Sequence, residues 1–373
     1  MSTYDVIVIG VGGVGSAALY HAARRGLRVL GIDRFAPGHS RGSSHGQTRA
    51  IRMAYFEHPD YVPLLRQAYQ LWEELEEHVG RLLFDRVGLL EVGPPDGLVV
   101  PGVLRSAAQH NLPVQQCDGD ELSRRFPGFR MPEGTVAVFE ENAGYLLVEQ
   151  CVQAHVEMAV RHGAELLLGQ TVRRIDQSEA EFVIVTDGTA VRSRYLVVAP
   201  GPWAPQVLRP LKLPLHVLIK HQYWYPVREP GYDRQAGCPV FFFEIGSEFF
   251  YGFPRIDERG VKVARHTGGE PCSDPLEVPE TTDPVDQSLV ERFLETTMPG
   301  VGRPACGHSI CFYTMSPDGH FYVDWFPDTQ RAAFVAGLSG HGFKFTSVLG
   351  KALIEMCVDQ NRWPELEFLR VDR

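Results

Sequence analysis

Gly10, Gly12 and Gly15 form a Gly-x-Gly-x-x-Gly array directly behind the apolar run 6–9, and Asp33 closes a second apolar run, 29–32. Residues of these types at this spacing bind a dinucleotide. Gly10 permits the tight turn, Gly12 leaves the backbone open to a pyrophosphate, and Gly15 lets the following helix pack close to the strand. The helix N-terminus then offers free N–H groups and a partial positive charge to the phosphates. Asp33 falls where a carboxylate meets the adenosine ribose. A second strand–turn–helix pattern, Gly337-Leu-Ser-Gly-His-Gly-Phe-Lys344, recurs near the end of the chain. It aims another helix N-terminus at the same ligand; in a flavoprotein such a turn stabilises the anionic edge of the reduced ring.

Other chemistry-bearing residues are isolated. The seven cysteines (117, 151, 238, 272, 306, 311 and 357) include no Cys-x-x-Cys pair. That argues against a disulfide framework or a zinc site and for a reducing cytoplasm, leaving a thiol free for chemistry. Cys311 stands just before the last nucleotide-type elements, with His308 as the nearest cation in sequence to favour a thiolate. Alternation along 261–266 puts Lys262, Ala264 and His266 on one strand face. The polar loop 37–48 is too long to be only a connection and reads as a functional segment.

The elements that must position these groups suggest two interwoven domains. A chain of 373 residues with 44% hydrophobic and 22% charged residues can build a large core. The expected fold class is α/β: a Rossmann-type dinucleotide-binding domain (1–85, 141–215 and 305–373) interleaved with a β-rich antiparallel substrate domain (86–140 and 216–304). Helices are expected over 59–80, 149–162, 285–298 and 343–358. Strands are expected at 166–168, 182–186, 195–198 and 333–337, with an aromatic antiparallel sheet over 216–264. The segment 89–140, rich in Pro and Gly, reads as short strands and turns, and 271–284 as a loop. A net charge of −10 argues against a general nucleic-acid or anionic-membrane partner. There is no window of transmembrane length and no signal peptide, so a cytoplasmic location is expected.

Several blocks in order resemble the monomeric sarcosine oxidase and N-methyltryptophan oxidase group of amine-oxidising flavoenzymes. They are Asp5-Val-Ile-Val-Ile-Gly10, Gly42-Ser-Ser-His-Gly-Gln-Thr-Arg-Ala-Ile-Arg52, Tyr251-Gly-Phe-Pro254, Gly260-Val-Lys-Val-Ala-Arg-His266, Cys311-Phe-Tyr-Thr314 and Gly340-His-Gly-Phe-Lys344. The resemblance implies FAD joined through its 8α carbon to the sulfur of Cys311. It places Lys262 over the flavin, where a fixed positive charge assists oxygen reduction. His45 and Arg49 line the flavin's other face as cations, and Arg52 and Lys344 take the substrate carboxylate. His266, Tyr251, Tyr313 and Phe242 border the substrate. Arg34, Ser43, Thr48, Gly340, His341 and Gly342 join Gly10, Gly12, Gly15 and Asp33 as cofactor contacts. Phe242 and the segment Met53-Ala-Tyr-Phe56 depart from the family pattern, which bears on substrate size and leaves the chemistry untouched.

The implied reaction is oxidative demethylation of an N-methyl amino acid to the primary amino acid, formaldehyde and hydrogen peroxide, by a monomeric enzyme with no metal. Two other readings fit the same motifs. One is an oxidase of glycine, D-amino acids or cyclic imino acids. The other is a flavin dehydrogenase that uses an acceptor other than oxygen.

Overall fold

The computed structural model describes residues 2–373. The first apolar run forms β1 (Thr3–Ile9), the glycine array leads into α1 (Gly13–Arg24), and β2 (Val29–Asp33) follows. Gly10 sits at φ +85°, where only glycine is unstrained. A Cβ on Gly15 would lie 1.7 Å from the Gly10 carbonyl oxygen, so this position tolerates no side chain. The loop then enters β3 (Thr48–Ile51). A 3₁₀ turn at Pro59–Tyr61 runs into α2 (Val62–Val79), which Gly80 stops in the left-handed conformation.

After β4 (Phe84–Asp85) and β5 (Leu89–Gly93), the segment read as strands and turns carries two helices, α3 (Val99–His110) and α4 (Gly119–Arg125), besides β6 (Gln115–Cys117) and β7 (Val136–Glu140). The expectation for 89–140 is corrected here. Pro101 lies in the first turn of α3, where the missing N–H costs nothing, and Val99, Val100, Val103 and Ala107 bury one face.

The chain continues through β8 (Gly144–Leu147), α5 (Val148–Arg161), β9 (Glu165–Leu168), β10 (Val172–Gln177), β11 (Phe182–Thr186), β12 (Ala190–Val198) and the short α6 (Ala204–Val207). Next come β13 (His216–Tyr225), β14 (Val240–Ile245), β15 (Glu248–Phe253), β16 (Val261–Arg265), β17 (Glu270–Cys272) and α7 (Pro284–Thr297). Asp283 caps α7 by accepting from the N–H groups of Val285 and Asp286. The remaining elements are β18 (Gly307–Met315), β19 (Tyr322–Trp325), β20 (Ala332–Ala336) and α8 (Thr346–Val358), the last entered through a 3₁₀ turn at Phe343–Phe345.

The strands make three sheets. The first runs β10-β11-β12-β1-β2-β9, with β20 beside β12 and β19 beside β20. Its centre is parallel (β12, β1, β2, β9), as a dinucleotide fold requires. Helix α1 packs on this sheet between α5 and α8. The second sheet runs β17-β13-β16-β15-β14-β5-β7-β6 and is antiparallel except at β5–β14. The third, β3-β8-β4, bridges the two. Strand β18 lies beyond the boundary drawn at 305, yet it pairs along the whole of β13 in the aromatic sheet. The two sheets therefore share a seam there, with Cys311 opposite Lys220.

The aromatic run divides by strand alternation. Phe241, Phe243 and Phe250 pack with Phe293 of α7 in the core of the second sheet, Phe250 stacking on Phe293 at 4.7 Å between ring centres. Phe242 and Tyr251 face the other way. Because the Gly15 position leaves no room for a methyl group, Gly15→Ala should lower unfolding stability by about 3 kcal/mol, the upper end for overpacking; urea denaturation followed by circular dichroism measures it.

Candidate functional site

A cleft of about 1880 Å³, its open mouth included, runs between the first two sheets from the Gly10–Gly12 turn to Arg52 and Lys344. At its nucleotide end the wall includes Gly10, Gly12, Asp33 and Arg34. No acidic residue occupies the first turn of α1, so the helix N-terminus keeps its positive character. The Asp33 carboxylate accepts from the N–H of Val11 at 2.6 Å and of Phe35 at 2.9 Å. Arg34 donates to Thr171 Oγ1 at 3.2 Å and covers the Trp203 ring at 5.3 Å. Trp203, Thr171 and Gln170 also line this end and were missed in the sequence. The signal for Trp203 was its place two residues after Gly201, the glycine of the turn that follows β12.

The middle of the cleft is made by the loop 43–48 and β18. Ser43 is on the wall and donates to the Phe312 carbonyl at 2.7 Å. Arg49 is half-buried. It donates to the Thr48 and Ser43 carbonyls at 2.9 and 3.1 Å and to Cys311 Sγ at 3.1 Å. The cation beside Cys311 is therefore Arg49, and the expectation for His308 is corrected. His308 pairs with His221 at 2.9 Å, and burial, with His221 nearby, lowers its pKa to about 4.

His45 is also corrected. It is buried, 3.0 Å from the Gly42 carbonyl, and off the cleft wall. Burial and the neighbouring Arg49 lower its pKa to about 4, so it is neutral rather than cationic. Thr48, Gly15 and Lys262 likewise stand behind the wall. Lys262 donates to the carbonyls of Gly46 and Thr48 and lies over the rings of Phe253 (5.0 Å) and Trp224 (5.6 Å). Burial and Arg49 push its pKa well down; an anion placed in the cleft would push it up again.

The far end is aromatic and basic. Phe242, Tyr251, His266 and Tyr313 share the wall, with His266 Nδ1 3.3 Å and the Tyr251 hydroxyl 3.4 Å from the Tyr313 hydroxyl. Burial, with Lys220 adding, lowers the His266 pKa to about 3. The turn of Gly340, His341 and Gly342 completes this wall. His341 Nδ1 meets the Tyr55 hydroxyl at 2.6 Å. Lys344 Nζ donates to the His341 carbonyl at 2.8 Å, and burial followed by Arg52 lowers its pKa to about 7.

Arg52 is buried against the rings of Tyr55 and Phe56, 4.7 and 4.6 Å from their centres. The sequence reading gave its fork to a ligand carboxylate. In the structure Nη2 meets both carboxylate oxygens of Glu57 at 2.7 Å. Burial would raise the Glu57 pKa, but Arg52 outweighs it and holds it at about 2.

The cleft fits a dinucleotide of flavin type. It joins a phosphate-binding helix start to an aromatic, cationic chamber. Buried polar atoms near it lack partners: Trp203 Nε1, Thr346 Oγ1, Thr48 Oγ1 and both amide atoms of Gln222. Such orphans are rare unless a bound group satisfies them.

A profile described as FAD dependent oxidoreductase (DAO) matches residues 5–356. A monomeric sarcosine oxidase from Arthrobacter sp. (strain TE1826) is 35% identical over 379 residues, covering 99% of this chain and 96% of the relative. An N-methyl-L-tryptophan oxidase from Yersinia pestis (strain Pestoides F) is 37% identical over 351 residues, covering 93% of each. Among solved structures, the open form of NikD, an unusual amino acid oxidase essential for nikkomycin biosynthesis, superposes with a TM-score of 0.88 at 23% identity over 99% of this chain and 98% of that one. The glycine turns, the interwoven sheets and full-length similarity agree: this chain belongs to the FAD-dependent oxidoreductase (DAO) family, in its monomeric sarcosine oxidase and N-methyl-L-tryptophan oxidase group.

Proposed function

We propose that the protein oxidises N-methyl amino acids, giving the primary amino acid, formaldehyde and hydrogen peroxide. The observation that carries this reading is the pairing of Arg52 and Lys344 with an aromatic wall, at the end of a cleft whose middle holds Cys311 against Arg49. FAD, when bound, supplies the two-electron acceptor and the route to dioxygen. Gly10, Gly12 and the start of α1 would hold its pyrophosphate, with Asp33 and Arg34 at the adenosine end.

Cys311 is the proposed site of covalent attachment, supported by the cation 3.1 Å from its sulfur. Lys262, behind the loop on two carbonyls, is the proposed aid to oxygen reduction.

The substrate carboxylate would lie on Lys344 and Arg52, exchanging for Glu57 on the Arg52 fork. Phe242, Tyr251 and Tyr313 exclude water from the N-methyl group. His266 is held neutral, and burial raises the phenol pKa of Tyr251 and Tyr313. None of the three is poised to take the amine proton, so the amine reacts after losing it to solvent, aided by nearby cations that lower its pKa. The seven cysteines are free in the structure and fit a reducing cytoplasm. Among the described residues no helix is long and apolar enough to cross a membrane. The name of the first relative supports a monomer.

A panel of amines assayed by peroxide release tests the activity: N-methylglycine and N-methyl aromatic amino acids should give the highest kcat/KM. Glycine, D-alanine or pipecolate leading the panel would overturn the choice of substrate.

Lys344 carries its proton below about pH 7 and loses it above. The KM for a carboxylate substrate should therefore rise as pH increases through 7. Lys344→Met should raise KM at pH 6 by about tenfold, the value of one charge-assisted hydrogen bond, and should flatten that rise.

On a denaturing gel, yellow fluorescence should travel with the wild-type chain and vanish in Cys311→Ser. Fluorescence retained in the variant would move the attachment elsewhere.

A further inference from the structure

Strand β5 is apolar apart from one acid, Glu91, which is wholly buried. Neither of its carboxyl oxygens has a hydrogen-bond partner. A buried carboxyl group left this way is costly unless a charge compensates it. That charge is Arg52, whose Nε lies 3.3 Å from Glu91 Oε1 without hydrogen-bond geometry. Glu57 holds the opposite edge of the same guanidinium. Arg52 and Glu57 are on the cleft wall, whereas Glu91 is behind it. Arg52 therefore sits between an acid that an incoming ligand can displace and one that it cannot reach.

On the reading of Arg52 and Lys344 as a carboxylate subsite, we propose that Glu91 is the positioning residue of Arg52. From behind the wall it fixes the Nε edge so that the Nη edge faces the ligand, and its own charge sets how strongly the subsite holds a carboxylate. The charged groups around it come from every neighbouring element. Arg52 follows β3, Glu57 lies on the next loop, Glu140 is on the paired strand β7, and Lys344 precedes α8. The Glu140 carboxylate is already engaged by the N–H groups of Met53 and Ala54 at 2.7 and 2.8 Å, which anchors the segment just after Arg52. Burial raises the Glu91 pKa to about 8; Arg52 opposes this, while Glu140 and Glu57 add to it. Glu91 thus carries a proton at neutral pH. When it ionises at higher pH, Arg52 is shared between two acids and its hold on a ligand weakens.

The probe is propionate, which has no oxidisable amine. Its Kd is measured from the perturbed flavin absorbance of the holoenzyme, at about pH 6.5 and about pH 9.5, on either side of the Glu91 transition. Lys344 is electrostatically coupled to Glu91, so each comparison is also made in a Lys344→Met background, where only Glu91 titrates. Glu91→Gln should bind propionate within about twofold of wild type at the lower pH and about tenfold more tightly at the higher, because only wild type then carries the extra charge. Glu91→Val, which removes the backstop together with the charge, should bind more weakly than Glu91→Gln at both pH values and more weakly than wild type at the lower, raising KM there with kcat kept.

A purely structural role would give a wild-type to Glu91→Gln ratio that does not change with pH. That flat ratio, or a Glu91→Val variant that binds like wild type at the lower pH, overturns the proposal and leaves the subsite intact. Wild type that binds no carboxylate at either pH removes the Arg52–Lys344 subsite, and this proposal with it.

Discussion

The site depends on cations held in and just behind a largely apolar cleft by backbone carbonyls. Arg49 is held by the Ser43 and Thr48 carbonyls, Lys262 by those of Gly46 and Thr48, and Lys344 by that of His341. Dipoles orient such charges without cancelling them, so the field remains available to an anion in the cleft. Where burial removes water and cations crowd, the cost falls on the softer groups. His45 becomes neutral, and Lys262 and Lys344 lose part of their hold on a proton. Arg52 is instead neutralised by a side-chain carboxylate, Glu57 in front, with the protonated Glu91 behind it.

That electrostatic arrangement requires a rigid loop. The segment 43–48 places three carbonyls, those of Ser43, Gly46 and Thr48, and it turns through left-handed conformations at Gly46 and Gln47. The Glu149 carboxylate at the start of α5 accepts from both of their N–H groups. The Gln47 side chain in turn bridges Trp224 of β13 and Asp257. The loop is thus bolted to a helix of the first sheet and to a strand of the second. Cys311 enters from β18, the strand that crosses the same seam. The thiol and the guanidinium meet because both belong to the junction between the sheets.

The nucleotide end was legible in the sequence because its chemistry is local. Three glycines and an acid on consecutive elements specify the turn, the helix start and the carboxylate. The aromatic sheet was legible through period-two alternation, whereas Phe242 and Tyr251 were singled out by the family resemblance, and only the strand pairing separates them from the core-facing Phe241, Phe243 and Phe250. What escaped was long-range. Helix α3 was hidden by a proline that is harmless in a first turn. The partner of Cys311 is Arg49, distant in the chain, whereas nearness in sequence pointed to His308. The charge of His45 depended first on burial, then on Arg49 four residues on and on Lys262 brought in from β16. Glu57 and Glu91 gave no signal, since a single acid in a loop or strand has no meaning until Arg52 lies beside it.

These residues line a chamber that would hold FAD beside an N-methyl amino acid, where the cofactor would supply an electron acceptor that air restores. The most direct measurement is the visible absorbance of the purified protein mixed with N-methylglycine without oxygen and then exposed to air. The yellow band should bleach before air is admitted and return afterwards with release of hydrogen peroxide. A band that does not bleach with any N-methyl amino acid, or that bleaches and stays bleached in air, would contradict the account.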